Sequence, residues 1–207
     1  MTNREVRKSR SDKKRDIHPT ILIELKDTIY RINYIISRPI KDICEDACLH
    51  GLNSKRVLNE LSQYFKRNVR FQNTSYIGHL DNPPIQRMST SSHTERIGIR
   101  FKAFDYENIC TLAYALNVTP SRATALLLEA SLMDYDFINP YLEKHLANTL
   151  DDNRMKELKK VIRFLNSNNP YDERISWLEL LSYIFKEIKN GSAPVHDTLV
   201  DYINKWR

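Results

Sequence analysis

RIGIRFKAFDYENICTLAYALNVTPSRATALLLEASLM, running from Arg96 to Met133, is the stretch whose reading decides the fold. Its opening residues alternate. Ile97, Ile99 and Phe101 point one way, and Arg96, Gly98, Arg100 and Lys102 the other, because successive strand side chains face opposite sides. The hydrophobic period then lengthens to about 3.6. Asp105 is placed to cap a helix whose Ile109, Leu112, Ala113 and Leu116 share a face. Asn117-Val118 closes that helix, and Thr119-Pro120 opens another, with Thr at the N-cap and Pro at the first helical position. The second helix runs to about Met133 and is apolar almost all round, through Ala123, Ala125, Leu126, Leu127, Leu128 and Ala130. One strand and two short helices cannot bury that surface alone, so the unit is expected to be dimeric.

A lone strand also leaves backbone groups unpaired along both edges. A second copy of the chain answers this with a two-stranded antiparallel ribbon, apolar beneath and basic above. Such a ribbon fits the major groove of B-DNA, where Arg donates two hydrogen bonds to guanine. Gly98 between the arginines keeps the ribbon low against the base edges. The start of the second helix offers backbone N–H groups, the hydroxyls of Thr119 and Ser121 and the charge of Arg122 to phosphate. The competing reading is an edge strand with a solvated charged face in a domain of unrelated purpose.

RIGIRF, a helix, and then VTPSRATALLLEASL resembles the ribbon-helix-helix DNA-binding superfamily, the Arc and methionine-repressor type, over residues 96–133 of the 207. The resemblance implies base-reading positions at Arg96, Gly98 and Arg100, with Lys102 at the strand's exit, and a phosphate clamp at Thr119, Ser121 and Arg122. It further implies a transcriptional repressor or regulator of a bacterial, plasmid or phage operon.

Composition sets the frame. A net charge of +6 and a pI of about 9.2 favour a polyanionic partner. Apolar residues at 41% can support a core, and with only four glycines the expected class is mainly α. No apolar run approaches the ~18 residues of a membrane span, so a soluble, cytoplasmic, nucleoid-associated protein is expected. Three cysteines argue against a disulfide framework. Cys44, Cys48 and His50 have the wrong spacing for a zinc site, and the two thiols are expected in the core. No phosphate loop, nucleophile elbow or metal motif is legible. The expectation is therefore no enzyme, no cofactor, no metal and no small-molecule ligand.

Along the chain, residues 1–16 hold seven Lys/Arg against three acidic residues and read as a disordered basic arm. Residues 17–72 read as a three-helix module. A helix from Ile17 carries Leu22, Leu25, Ile29, Ile32 and Ile36, although ILIEL also alternates as a strand would. Pro39 opens the next helix, which Gly51 is expected to stop near His50. Asn53-Ser54 caps a third, from Lys55 to Phe65. The GLNS link suggests a helix-turn-helix with a second DNA contact at Asn53, Ser54, Lys55, Arg56 and Asn59. Residues 73–94 read as a linker, preceded by a short strand near Val69–Phe71, with Lys66, Arg67 and Arg70 as further phosphate contacts. Residues 95–134 are the ribbon-helix-helix unit. Residues 135–207 form a C-terminal helical bundle, one helix opened by Pro140 and another by Asp151-Asp152. ICEDACLHGLNSKR at 43–56 faintly echoes ICTLAYALNVTPSR at 109–122, as though a first unit had lost its strand.

The sequence thus points to a dimeric, sequence-specific binder of double-stranded DNA. The other reading is an architectural, segregation or conjugative-accessory protein coating repeated sites, with the C-terminal bundle as adaptor.

Overall fold

The computed structural model describes residues 14–85, 93–146 and 152–171. Most of the basic arm, part of the linker and the C-terminal helices expected after residue 171 lie outside the described residues.

The strand at 96–102 is paired, but with its own chain. β1 (Arg15–Ile17) lies antiparallel to β6 (Ile99–Phe101), and β2 (Thr20–Leu22) antiparallel to β5 (Thr94–Arg96). Arg15 faces Phe101, Ile17 faces Ile99, Thr20 faces Arg96 and Leu22 faces Thr94. The two pairs therefore keep one register and form one ribbon. The ladder is interrupted where Pro19 has no N–H to give, yet its carbonyl still accepts from the Ile97 N–H at 3.1 Å. Ile17, Ile21, Ile97, Ile99 and Phe101 are buried, whereas Asp16, His18, Thr20, Arg96, Gly98 and Arg100 are exposed. The ribbon is two-sided, as alternation requires. Three expectations change. Arg15 and Asp16 belong to a strand, not to an arm; residues 17–22 are extended, not helical; and no second copy is needed to satisfy the strand's edge.

The remaining elements follow in a repeating order. α1 (Ile23–Ile36) and α2 (Ile40–Asn53) come after the first strand, and α4 (Ala103–Leu116) and α5 (Pro120–Met133) after the second. Ile23 and Ala103, Ile36 and Leu116, Ile40 and Pro120, and Asn53 and Met133 are each 80 residues apart. The three-residue link between the helices of each half opens on a residue in the left-handed region, Ser37 at φ 54° and Asn117 at φ 56°, again 80 apart. The helix starts agree as well: the Pro39 carbonyl accepts from Ile43, and the Thr119 carbonyl from Ala123. The chain thus carries two strand–helix–helix halves, 15–53 and 95–133. The strand of the first half is present, and the echo between 43–56 and 109–122 falls in the wrong register.

Spatially the chain divides into two compact units. The first holds the residues up to Asp27 and Pro39–Ser131. Its core lies beneath the ribbon, with Ile43, Cys44, Ala47 and Cys48 of α2, Ile109 and Leu112 of α4, and Leu127 and Leu128 of α5. Gly51 does not stop α2. It sits inside the helix, where a methyl group would fall 2.1 Å from Ser131 Oγ and 2.7 Å from Leu127 Cδ1, so only hydrogen lets α5 come this close. α3 (Lys55–Ser62) begins one residue after α2 ends, and the hairpin β3 (Val69–Phe71) and β4 (Thr74–Tyr76) follows. Phe65, Phe71 and Tyr76 meet edge to face beside that hairpin. The start of the expected linker is therefore folded.

The second unit holds Thr28–Arg38 and the chain from Leu132. Ile29, Ile32, Ile35 and Ile36 are buried, as are Ile138 and Leu142 of α6 (Tyr135–Leu146) and Leu158, Val161, Ile162 and Leu165 of α7 (Asp152–Ser167). Pro140 lies inside α6, not at its start. The buried Asp134 stands at that start, its carbonyl accepting from Phe137 and Ile138. Among the described residues no helix is long and apolar enough to cross a membrane.

Candidate nucleic-acid interface

The exposed face of the ribbon brings residues about 80 positions apart in the chain into one row. Arg96 stands opposite Thr20, and Arg100 opposite Asp16. Arg100 Nε donates to Asp16 Oδ1 at 2.7 Å, with side chains 65% and 51% exposed. A pair so open to water is worth at most about 1 kcal/mol, so Arg100 can exchange this partner for another acceptor. Between the two pairs His18 lies across from Gly98. A methyl group on Gly98 would sit 3.2 Å from His18 Cε1, so the space this glycine leaves is taken up by the imidazole. Lys102 is exposed at the ribbon's far end, whereas Lys14 Nζ turns to α2 and donates to both carboxylate oxygens of Glu45 at 2.7 Å. The sequence placed Arg96, Gly98, Arg100 and Lys102 on this face but missed Asp16, His18 and Thr20. The signal was the alternation of Ile17, Pro19 and Ile21.

The expected phosphate clamp sits at the start of α5. Thr119 is exposed and its Oγ1 accepts from the Arg122 N–H at 3.3 Å, the bond expected of an N-cap. The Ser121 hydroxyl donates to the His18 carbonyl at 2.7 Å, which fixes the helix start against the first ribbon strand. In the first half the corresponding positions, 80 residues earlier, are Pro39, Lys41 and Asp42. These start a long helix too, and sequence reasoning did not single them out.

The second contact set is placed differently. α2 runs through Gly51 to Asn53, so GLNS is helix plus one capping residue, without the three- or four-residue turn of a helix-turn-helix. Ser54 Oγ caps α3 by accepting from the Val57 N–H at 3.3 Å. Asn53 Nδ2 donates to the Leu49 carbonyl at 2.7 Å, and its Oδ1 accepts from Gln72. Lys55 and Asn59 are exposed and Arg56 is half-buried.

The three basic residues after α3 serve the fold. Arg67 donates to the Tyr114 carbonyl at 2.7 Å and to Asn117 Oδ1 at 2.9 Å, with its guanidinium 4.5 Å from the Tyr114 ring centroid. Lys66 Nζ donates to the Leu80 carbonyl at 2.8 Å and also reaches that of Asn82. Arg70 Nε donates to the Gln72 carbonyl at 3.1 Å.

Cys44 and Cys48 are core residues: burial pushes the Cys44 thiol up to about 12, and Cys48 rises well above its ordinary value for the same reason. Among the described residues no cluster of His, Cys, Asp and Glu could hold a metal ion. No family model, no curated protein and no solved structure matches this chain.

Proposed function

We propose that this protein binds double-stranded DNA by laying its two-stranded ribbon in the major groove, as a ribbon-helix-helix pair contained in one chain. It acts as a sequence-specific regulator, in line with the repressors its second half resembles. What supports the reading most is the ribbon itself, with five buried apolar residues beneath and an exposed upper face bearing Arg96, Arg100 and Lys102. Arginines on such a face match the donor and acceptor pattern of guanine. The start of α5, with Thr119, the Ser121 backbone N–H and Arg122, takes a flanking phosphate, and the net charge of +6 favours approach to the duplex.

The test is enrichment of duplex fragments by the purified protein, followed by titration of an enriched duplex. Arg100→Ala is expected to weaken that duplex by roughly 1–3 kcal/mol while leaving non-specific binding nearly intact. Arg122→Ala is expected to weaken all duplexes alike and to flatten the salt slope by about one. Unchanged discrimination in the first variant would remove the ribbon as reader.

A further inference from the structure

The geometry points to a DNA site that is not palindromic: one chain reads one duplex segment, and the two ends of that segment differ in sequence. This inference rests on the ribbon being the reader, as proposed above, and adds what kind of site it reads.

The register and the repeat together locate the ribbon's approximate twofold axis. Pairing sets Asp16 against Arg100 and Thr20 against Arg96, and the halves repeat every 80 residues. Both conditions are met only at His18 and Gly98, so the axis passes between those two residues. Rotation about it exchanges Asp16 with Arg96, Thr20 with Arg100, and His18 with Gly98. A carboxylate replaces a guanidinium, a hydroxyl replaces a guanidinium, and an imidazole replaces nothing. In a symmetric dimer the rotated positions carry identical residues, and this is why the sites of such dimers are palindromic. Here no outward position in the reading row matches its mate.

The two ends of the ribbon therefore offer different chemistry. One end presents Arg100 held beside Asp16, a donor for guanine next to an acceptor for the cytosine amino group. The other presents Arg96 across from Thr20, a guanine donor beside a small hydroxyl. His18 projects from the centre on one strand only. The clamps differ in the same sense: α5 opens with Thr119, Ser121 and Arg122, whereas α2 opens with Pro39, Lys41 and Asp42, where a carboxylate repels phosphate.

The test is selection from a pool of random duplexes with the full-length protein, repeated with Arg96→Ala and Arg100→Ala. The expected product is a motif without dyad symmetry, bound by one chain on a duplex trimmed to the motif. Arg96→Ala should lose preference at one end and Arg100→Ala at the other, each relaxing its own positions by about tenfold or more. His18→Ala should relax the centre alone. A dyad-symmetric motif, or arginine variants that blur both ends equally, would overturn this inference and leave DNA reading by the ribbon standing. Failure to enrich any duplex would overturn the DNA reading and this inference with it.

Discussion

At the residue scale, the left-handed residues that link the paired helices, Ser37 and Asn117, carry opposite expectations. Asn117 tolerates φ 56°, closes α4 and accepts a hydrogen bond from Arg67 on its side-chain oxygen. Asn117→Ala should therefore destabilise the fold, by roughly 1–2 kcal/mol in urea titrations. Ser37 holds φ 54° with a side chain poorly suited to it, so Ser37→Gly should leave stability unchanged or raise it by up to about 1 kcal/mol. Gly51 reverses the usual rule for glycine in a helix. Alanine there would ordinarily help by roughly 0.5–1 kcal/mol, but with Ser131 Oγ 2.1 Å from the new methyl group, Gly51→Ala should lower the melting temperature. Thiol chemistry separates the cysteines. With the Cys44 thiol pushed up to about 12, its thiolate fraction at pH 8 is on the order of 10⁻⁴. An aromatic disulfide reagent should modify the half-exposed Cys110 first in the native protein, and all three only after unfolding. Fast reaction of Cys44 would contradict its burial. Glu129 gives a pH dependence: burial raises its carboxyl, against the pull of Arg122. A carboxyl whose folded value is raised favours the fold while protonated and opposes it once ionised, so its penalty grows as pH rises through and above the ordinary carboxylate range. Glu129→Gln should accordingly raise the melting temperature at pH 7 and change it little near pH 4.

At the element scale, the second half could be read and the first could not. Residues 96–133 have an alternating strand, a closing Asn and a Thr-Pro start where the structure has them, but Asp105, expected as the cap, lies within the first turn of α4, whose N-cap position is Lys102. In the first half, Pro19 interrupts the strand, and prolines count against strands because they cannot donate to the ladder. The apolar run then passes from strand to helix without a break, so Ile21, Ile23 and Leu25 fit both periods. The repeat left almost no trace in residue identity. Only Ile17/Ile97, Ile29/Ile109, Tyr34/Tyr114 and Leu52/Leu132 match over the 39 aligned positions. What persists is burial: Ile17, Pro19 and Ile21 are inward like Ile97, Ile99 and Phe101, while Tyr34 and Tyr114 are both exposed. Packing tolerates substitution as long as volume and side are kept. Removing residues 1–22 tests the role of the first strand, because Ile97, Ile99 and Phe101 would lose their cover and the second strand its partner. Self-association or loss of cooperative unfolding is expected in sedimentation and thermal melts; a monomer with unchanged melting would show that the ribbon adds little.

At the scale of the whole molecule, one chain holds both halves, joined by the segment from Ser54 to His93. That connection contains α3 and the β3–β4 hairpin, and each half is a continuous run of about forty residues that pairs its strand with the other's. Blocks of this kind can find the complementary block in a neighbouring molecule, since the same register and the same buried face are on offer there. Refolding from denaturant at high protein concentration should thus trap reciprocal pairs, each ribbon drawn from two polypeptides, that relax to single chains on dilution and annealing. The contacts made in such exchanged pairs would be the native ones, and only the routing of the backbone between them would differ.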